Sequence, residues 1–157
     1  MKFFPVFIIV FVLLICCTKK IGTNPSLAYS NGALLDSCKQ AYHHYYKNDS
    51  SILPGAHGPH GTFKLRFNSI ALKALTDNGK LPTGGKFPDG SLIIKDAYKG
   101  SDIEIYAMMY KKSGSWLWAE IKPDKKVVHG VNDNSGVCTG CHSQSGNRDL
   151  VVSFNFY

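Results

Sequence analysis

SLIIKDAYKGSDIEIYAMMYKKSGSWLWAEIK, residues 91–122, holds three runs rich in Ile, Tyr and Trp, separated by two short glycine-bearing breaks. The runs cover 91–98, 103–111 and 116–122. Residues of these types suit a pleated, half-buried surface. Breaks as short as Lys99-Gly100-Ser101 and Ser113-Gly114 join antiparallel neighbours. A sheet built from hairpins is therefore expected. Upstream, TFKLRFN (62–68) alternates, with Phe63, Leu65 and Phe67 on one face, and adds a further strand.

Working outward, Leu34, Leu35, Cys38, Ala41, Tyr42 and Tyr45 recur at three-to-four spacing. This predicts an amphipathic helix over 33–47, with His43 and His44 at its surface. A short helix is expected over 70–77, capped by Ser69 and stopped by Asn78-Gly79. Residues 52–61 (ILPGAHGPHG) and 79–90 (GKLPTGGKFPDG) are rich in Gly and Pro and read as loops, as does the polar stretch 123–136. Strands with segregated helices define an α+β domain, mainly antiparallel sheet with two or three helices. A chain of 157 residues suits one such domain.

The N-terminus is of another kind. Met1-Lys2 leads into FFPVFIIVFVLLICC (3–17), fifteen residues without charge. A spanning helix needs ~20 apolar residues, so the segment fits a secretory signal better. Cys16 and Cys17 end it, as in a bacterial lipoprotein signal. Cleavage after Ala28, or an uncleaved anchor, are the alternatives. Each puts the domain outside the cytoplasm, periplasmic or held to a membrane only through its N-terminus. Residues 1–17 thus read as signal, 18–30 as tether and 31–157 as the folded domain. The net charge is +7, but the lysines are scattered in pairs. They read as solvated surface and not as a nucleic-acid patch.

Near the end stands CTGCH, residues 138–142. Two cysteines two residues apart with histidine directly after are the pattern of c-type haem attachment. Cys138 and Cys141 would take the two vinyl groups as thioethers, and His142 would ligate the iron. A disulfide or dithiol and a zinc half-site are the other readings. Zinc needs four ligands, and there is no second cysteine pair. Cys38 stands alone and reads as a small buried apolar residue. Only fifteen residues follow His142 and none is methionine, so the haem c would be anchored near the C-terminus of a β-rich domain.

Residues 53–154 resemble the cytochrome P-460 family. The resemblance rests on HGPHGTFKLRFN (57–68), FPDGSLIIKDAY (87–98), YAMMYKKSGSWLWAE (106–120), CTGCH and RDLVVSF (148–154). It implies an antiparallel sheet, often in a dimer, and a five-coordinate haem iron held by His142. It also implies a small nitrogen-species ligand and an external redox partner. Some relatives oxidise hydroxylamine with a lysine-linked haem and a distal carboxylate. Others, the cytochrome c′-beta proteins, have an apolar distal pocket and bind nitric oxide. On this basis Asp96 and Glu104 are candidates for the distal base. Lys73 is the candidate for the haem link, with Lys64 and Lys80 as rivals. His57, His60, Met108 and Met109 are weighed as second axial ligands of a six-coordinate electron carrier. The histidines read rather as loop residues, and the methionines as core.

Overall fold

The computed structural model describes residues 30–40, 42–55, 59–133 and 136–155. The signal-like segment and nearly all of the tether lie outside the described residues. Six strands form one antiparallel sheet in chain order: β1 His44–Tyr45, β2 Thr62–Phe67, β3 Leu92–Lys99, β4 Asp102–Lys112, β5 Ser115–Ile121 and β6 Val127–His129. Among the described residues three α-helices accompany it: α1 Asn31–Cys38, α2 Ser69–Lys73 and α3 Gly136–His142. The fold is α+β, as the hairpin-rich centre of the sequence predicts.

Both faces of the sheet are covered. On one face α1 packs Leu34, Leu35 and Cys38 against Leu92, Ile94, Met108, Tyr110 and Ile121. On the other, Phe63, Leu65, Phe67, Ile93, Met109, Trp116 and Trp118 meet α2, the 79–90 loop and the C-terminal residues Val151 and Phe154. Period two along each strand performs the sorting. Phe154 stacks on Phe67 and Phe87, with ring centroids 6.4 and 6.3 Å apart. Lys80 donates to its carbonyl at 2.6 Å. Burying one such ring contributes roughly 1.5–3 kcal/mol, enough to hold a chain end that has no strand of its own.

The first helix is shorter than its spacing predicts, ending at Cys38 with Lys39 as cap. The aromatic run after it has low helix propensity and finds better partners: His44 and Tyr45 pair with Phe67 and Arg66 of β2. His43, expected at the surface, is buried. Its Nε2 meets the Ser37 carbonyl at 2.6 Å, next to the end of the helix. The second helix is capped by Asn68, not Ser69. The Asn68 side chain accepts from Ala71 and Leu92 and donates to Gly90, tying α2 to the start of β3. Strand β6 falls inside the stretch expected to be loop.

Asp96 illustrates the two-faced sorting. It lies on the α1 face, buried, where Arg66 grips both carboxylate oxygens at 2.8 and 2.6 Å. The same guanidinium donates to the Cys38 carbonyl at the end of α1. Burial pushes the Cys38 thiol up to about 12, so it behaves as a small apolar residue. Breaking a buried pair from one side leaves the other charge unpaired, at a cost of ~3–5 kcal/mol. Asp96→Ala should therefore lower unfolding stability by about that amount. Arg66→Met with Asp96→Leu should recover most of it, as read from urea midpoints.

Candidate functional site

Three neighbours of one transverse row, Lys95, Ala107 and Glu120, line a pocket. Strand register places Leu65 opposite Lys95, Lys95 opposite Ala107, Ala107 opposite Glu120, and Glu120 opposite His129. Residues directly opposite one another share a face. Ala107 is small and stands between Lys95 and Glu120, whose strands lie ~10 Å apart, on the same face of the sheet. The pocket above them is also lined by His60, Ile93, Met109, Trp118 and Val151, together with Cys138, Cys141 and His142.

Two local features shape the rim. A bulge beside Glu120 pairs Glu120 with His129 and Ile121 with Val127, leaving Val128 as the extra residue. Bulges redirect side chains beside sites. In the loop before β2, a Cβ on Gly55 would overlap the Gly61 carbonyl. Only glycine allows this pinch, which closes the loop and sets Pro59 and His60 at the pocket.

The chemistry of the row is set by burial. Lys95 sits over the Phe63 ring, 4.4 Å from its centroid, and burial lowers its amine to about 8. Burial raises the Glu120 carboxyl above its usual range, against a smaller pull from His129. His60 Nδ1 stands 3.8 Å from Glu120 Oε1, beyond hydrogen-bond reach. Burial, with Lys95 and His142 nearby, lowers His60 to about 4. It is neutral near pH 7, so this contact is not an ion pair.

Helix α3 brings Cys138, Cys141 and His142 to neighbouring positions, three and four residues apart. Both thiols are free. Burial, and then Glu120, raise the Cys138 thiol, the opposite of what a reactive dithiol needs. Among the described residues no three His, Cys, Asp or Glu side chains gather as a metal-binding group. His142 meets the edge of Trp118 with centroids 4.6 Å apart. Its Nδ1 lies 2.7 Å from the Leu150 carbonyl. A carbonyl only accepts, so Nδ1 carries the proton and Nε2 keeps its lone pair. Burial also lowers the His142 pKa, partly opposed by that hydrogen bond. A neutral imidazole oriented through its other nitrogen is how proteins prepare a metal ligand.

These features fit haem c: two free thiols at the attachment spacing, a ligand-ready imidazole and an apolar wall. The pocket measures about 120 Å³ and opens to solvent, below the ~300–1,000 Å³ of enclosed ligand clefts. A haem attached here would be held by Cys138, Cys141 and His142 with much of its surface outside this pocket, on the side where Cys141 is exposed.

The Leu150 carbonyl reaches His142 through an unusual turn. Val151 donates back to the Arg148 carbonyl, and the residues between, Asp149 and Leu150, have φ of 47° and 67°. Two positive φ values across a bonded turn are the type I′ pattern, which favours Asn-Gly. Asp-Leu in these places costs on the order of 1–3 kcal/mol per residue. Asp149 is held firmly enough to offset this. Lys111 donates to both its carboxylate oxygens at 3.0 Å, Phe87 N–H to one at 2.9 Å, and Trp116 Nε1 to its carbonyl at 2.9 Å. Charge-assisted bonds of this kind are worth ~1.5–3 kcal/mol each.

The other sequence candidates fall elsewhere. Asp96 is one residue from Lys95 and so faces α1, paired with Arg66. Glu104 is the unpaired residue of the β3–β4 bulge, where Ala97 pairs with Ile105 and Tyr98 with Ile103, and it is exposed. Lys73 is exposed on α2. Lys64 approaches the Tyr45 and Tyr98 rings, and Lys80 holds Phe154. None of these lines the pocket. Met109 lies on the pocket face and Met108 in the α1 core. His57 lies outside the described residues. Lys95 and Glu120 are site residues that the sequence reading does not pick out, and His60, weighed there as an axial ligand and read as a loop residue, lines the pocket. The signal for Lys95 and Glu120 was present in the alternation: Trp116, Trp118 and Glu120 share one face by period two, as do Ile93 and Lys95.

Comparison with protein-family models, with curated proteins and with solved structures gives no match.

Lys95 provides a pH test on the protein without haem. Its amine titrates near 8 when folded and near ~10.4 when unfolded. Between those values the unfolded chain binds more protons, so stability rises with pH. Lys95→Met should be more stable than wild type at neutral pH. That advantage should shrink as pH climbs through the window, measured by denaturant midpoints at both ends.

Proposed function

We propose that this chain is an exported c-type haem protein handling small nitrogen species, as its resemblance to the cytochrome P-460 family implies. The observation that carries the reading is the hydrogen bond from His142 Nδ1 to the Leu150 carbonyl. It presents Nε2 as a ligand beside two free thiols at attachment spacing. Cys138 and Cys141 would hold the haem through thioethers, and His142 would hold its iron. The bound haem supplies an iron that takes up the ligand and passes electrons to an external acceptor. The protein reaches its compartment by the N-terminal signal, as a periplasmic or lipid-anchored protein, and a homodimer is consistent with the family.

Within the pocket, Glu120 is the carboxylate placed to accept protons. A raised pKa brings it closer to the ambient pH at which general bases work best. It takes the role that the resemblance first suggested for Asp96 or Glu104. Lys95 offers a cation or, near its pKa, a free amine. It is the lysine within the pocket to which a haem link of the P-460 kind would fall, in place of Lys73. Ile93, Met109, Trp118 and Val151 give the pocket an apolar wall. The polar row favours a ligand that must lose protons, such as hydroxylamine, over simple nitric oxide binding.

A second reading rests on His60 and Met109, which line the same pocket. If either occupied the second axial position, the protein would be a six-coordinate electron carrier.

The test is absorption spectroscopy on protein matured with haem c, native and in alkaline pyridine. The proposal expects a high-spin native spectrum that changes on adding nitric oxide or hydroxylamine. Glu120→Gln should slow hydroxylamine oxidation by ~10²–10⁴-fold and leave nitric oxide uptake intact. A red-shifted haem that persists in pyridine and is lost in Lys95→Met would reveal the link. A low-spin, unreactive native spectrum that turns high-spin in His60→Ala would establish the electron carrier instead.

A further inference from the structure

The Asp149–Leu150 turn is costly, and the strand residues that hold it are costly too. Lys111 and Asp149 are both nearly inaccessible, with side chains 5% and 3% exposed. The Lys111 ammonium sits 4.8 Å from the Trp116 ring centroid, while the Trp116 N–H holds the Asp149 carbonyl. Two adjacent strand ends, of β4 and β5, thus converge on one residue of a C-terminal turn. Of that turn, Val151 lines the pocket and the Leu150 carbonyl meets His142; Asp149 does neither. The ordinary solution for such a turn is Gly after Asn or Asp. Here the backbone conformation is imposed from outside by a buried ion pair and an indole.

We propose that Asp149, clamped by Lys111 and Trp116, is a positioning residue for His142: it forces the left-handed turn that aims the Leu150 carbonyl at Nδ1, and so selects the ring nitrogen offered to the pocket. The clamp acts through the backbone and touches neither ligand nor cofactor. Without it the turn relaxes toward ordinary φ values, the carbonyl swings away, and the imidazole loses the acceptor that fixes its tautomer. When haem is bound, the same loss makes His142 a poorer electron donor to the iron and raises the reduction potential. The significance of the clamp for a cofactor rests on the haem reading above, but its effect on the imidazole does not.

The experiment uses two variants, because a lone buried charge would endanger folding. Lys111→Met with Asp149→Ala removes both charges together and sets at the turn a residue that disfavours positive φ. Trp116→Phe removes only the donor to the Asp149 carbonyl. Nitrogen-15 NMR of the full chain prepared without haem reads the His142 tautomer directly. The wild type should show a single form, protonated at Nδ1. Both folded variants should show the Nε2-protonated form rising to a comparable population, more so in the paired variant. After haem loading, the potential should shift positive in the same order. Folded variants that keep the wild-type tautomer would overturn the proposal, as would a wild type already mixed. A chain that takes up no haem yet shows the predicted tautomer change would refute the haem reading and leave the clamp standing.

Discussion

Lys111 donates to both carboxylate oxygens of Asp149 at 3.0 Å inside the protein, and the C-terminal segment depends on that pair for its shape. Residues 136–155 contain one short helix and one short 3-10 turn, too little to hold themselves in place. Contacts with the rest of the fold fix them instead, among them the Arg148 bonds to Asp77 and the Leu81 carbonyl. Phe154 is stacked into the aromatic core, and Asp149 is bound to the ends of β4 and β5. Between these anchors the Leu150 carbonyl is delivered to His142. The anchors on the sheet thus set the geometry of the site, although the cysteines and histidine are carried by the tail.

The sheet treats its charges in two ways, and the contrast explains which are available for chemistry. Lys95 and Asp96 are adjacent, yet they end on opposite faces. Asp96 meets Arg66 in a two-point pair on the α1 face and is spent on holding the helix to the sheet. Lys95 meets an aromatic ring and, among the described residues, no carboxylate, and its proton is held weakly. Glu120 likewise has no hydrogen-bonded cation among the described residues. Buried charges satisfied by partners are structural; those left short of partners beside a cavity are the ones poised for proton transfer.

Much of the fold was legible in the sequence. The alternation of TFKLRFN and of residues 91–122 yields four of the six strands within a residue or two. Their glycine-bearing breaks yield the hairpins. Helix α1 was overdrawn because spacing alone cannot weigh His44 and Tyr45 as a helix end against the same two residues paired with β2. CTGCH could be read from spacing alone as a haem-attachment sequence, and that reading is the basis of the proposed function. The pocket beside it was not legible. Strand register decides that Lys95, Ala107, Glu120 and His129 form a row, and register comes from pairing across the sheet. The left-handed turn at Asp149–Leu150 was least legible of all, since Leu is a poor residue for it and only tertiary contacts impose it.

The central claim is that Cys138, Cys141 and His142 hold a haem. Mass spectrometry of the proteolytic peptide spanning residues 136–147 tests it most directly, using protein exported by cells that mature c-type cytochromes. The account predicts this peptide with haem covalently attached through both cysteines. Recovery of the same peptide with a Cys138–Cys141 disulfide, or with two free thiols, from cells that load other cytochromes would contradict it.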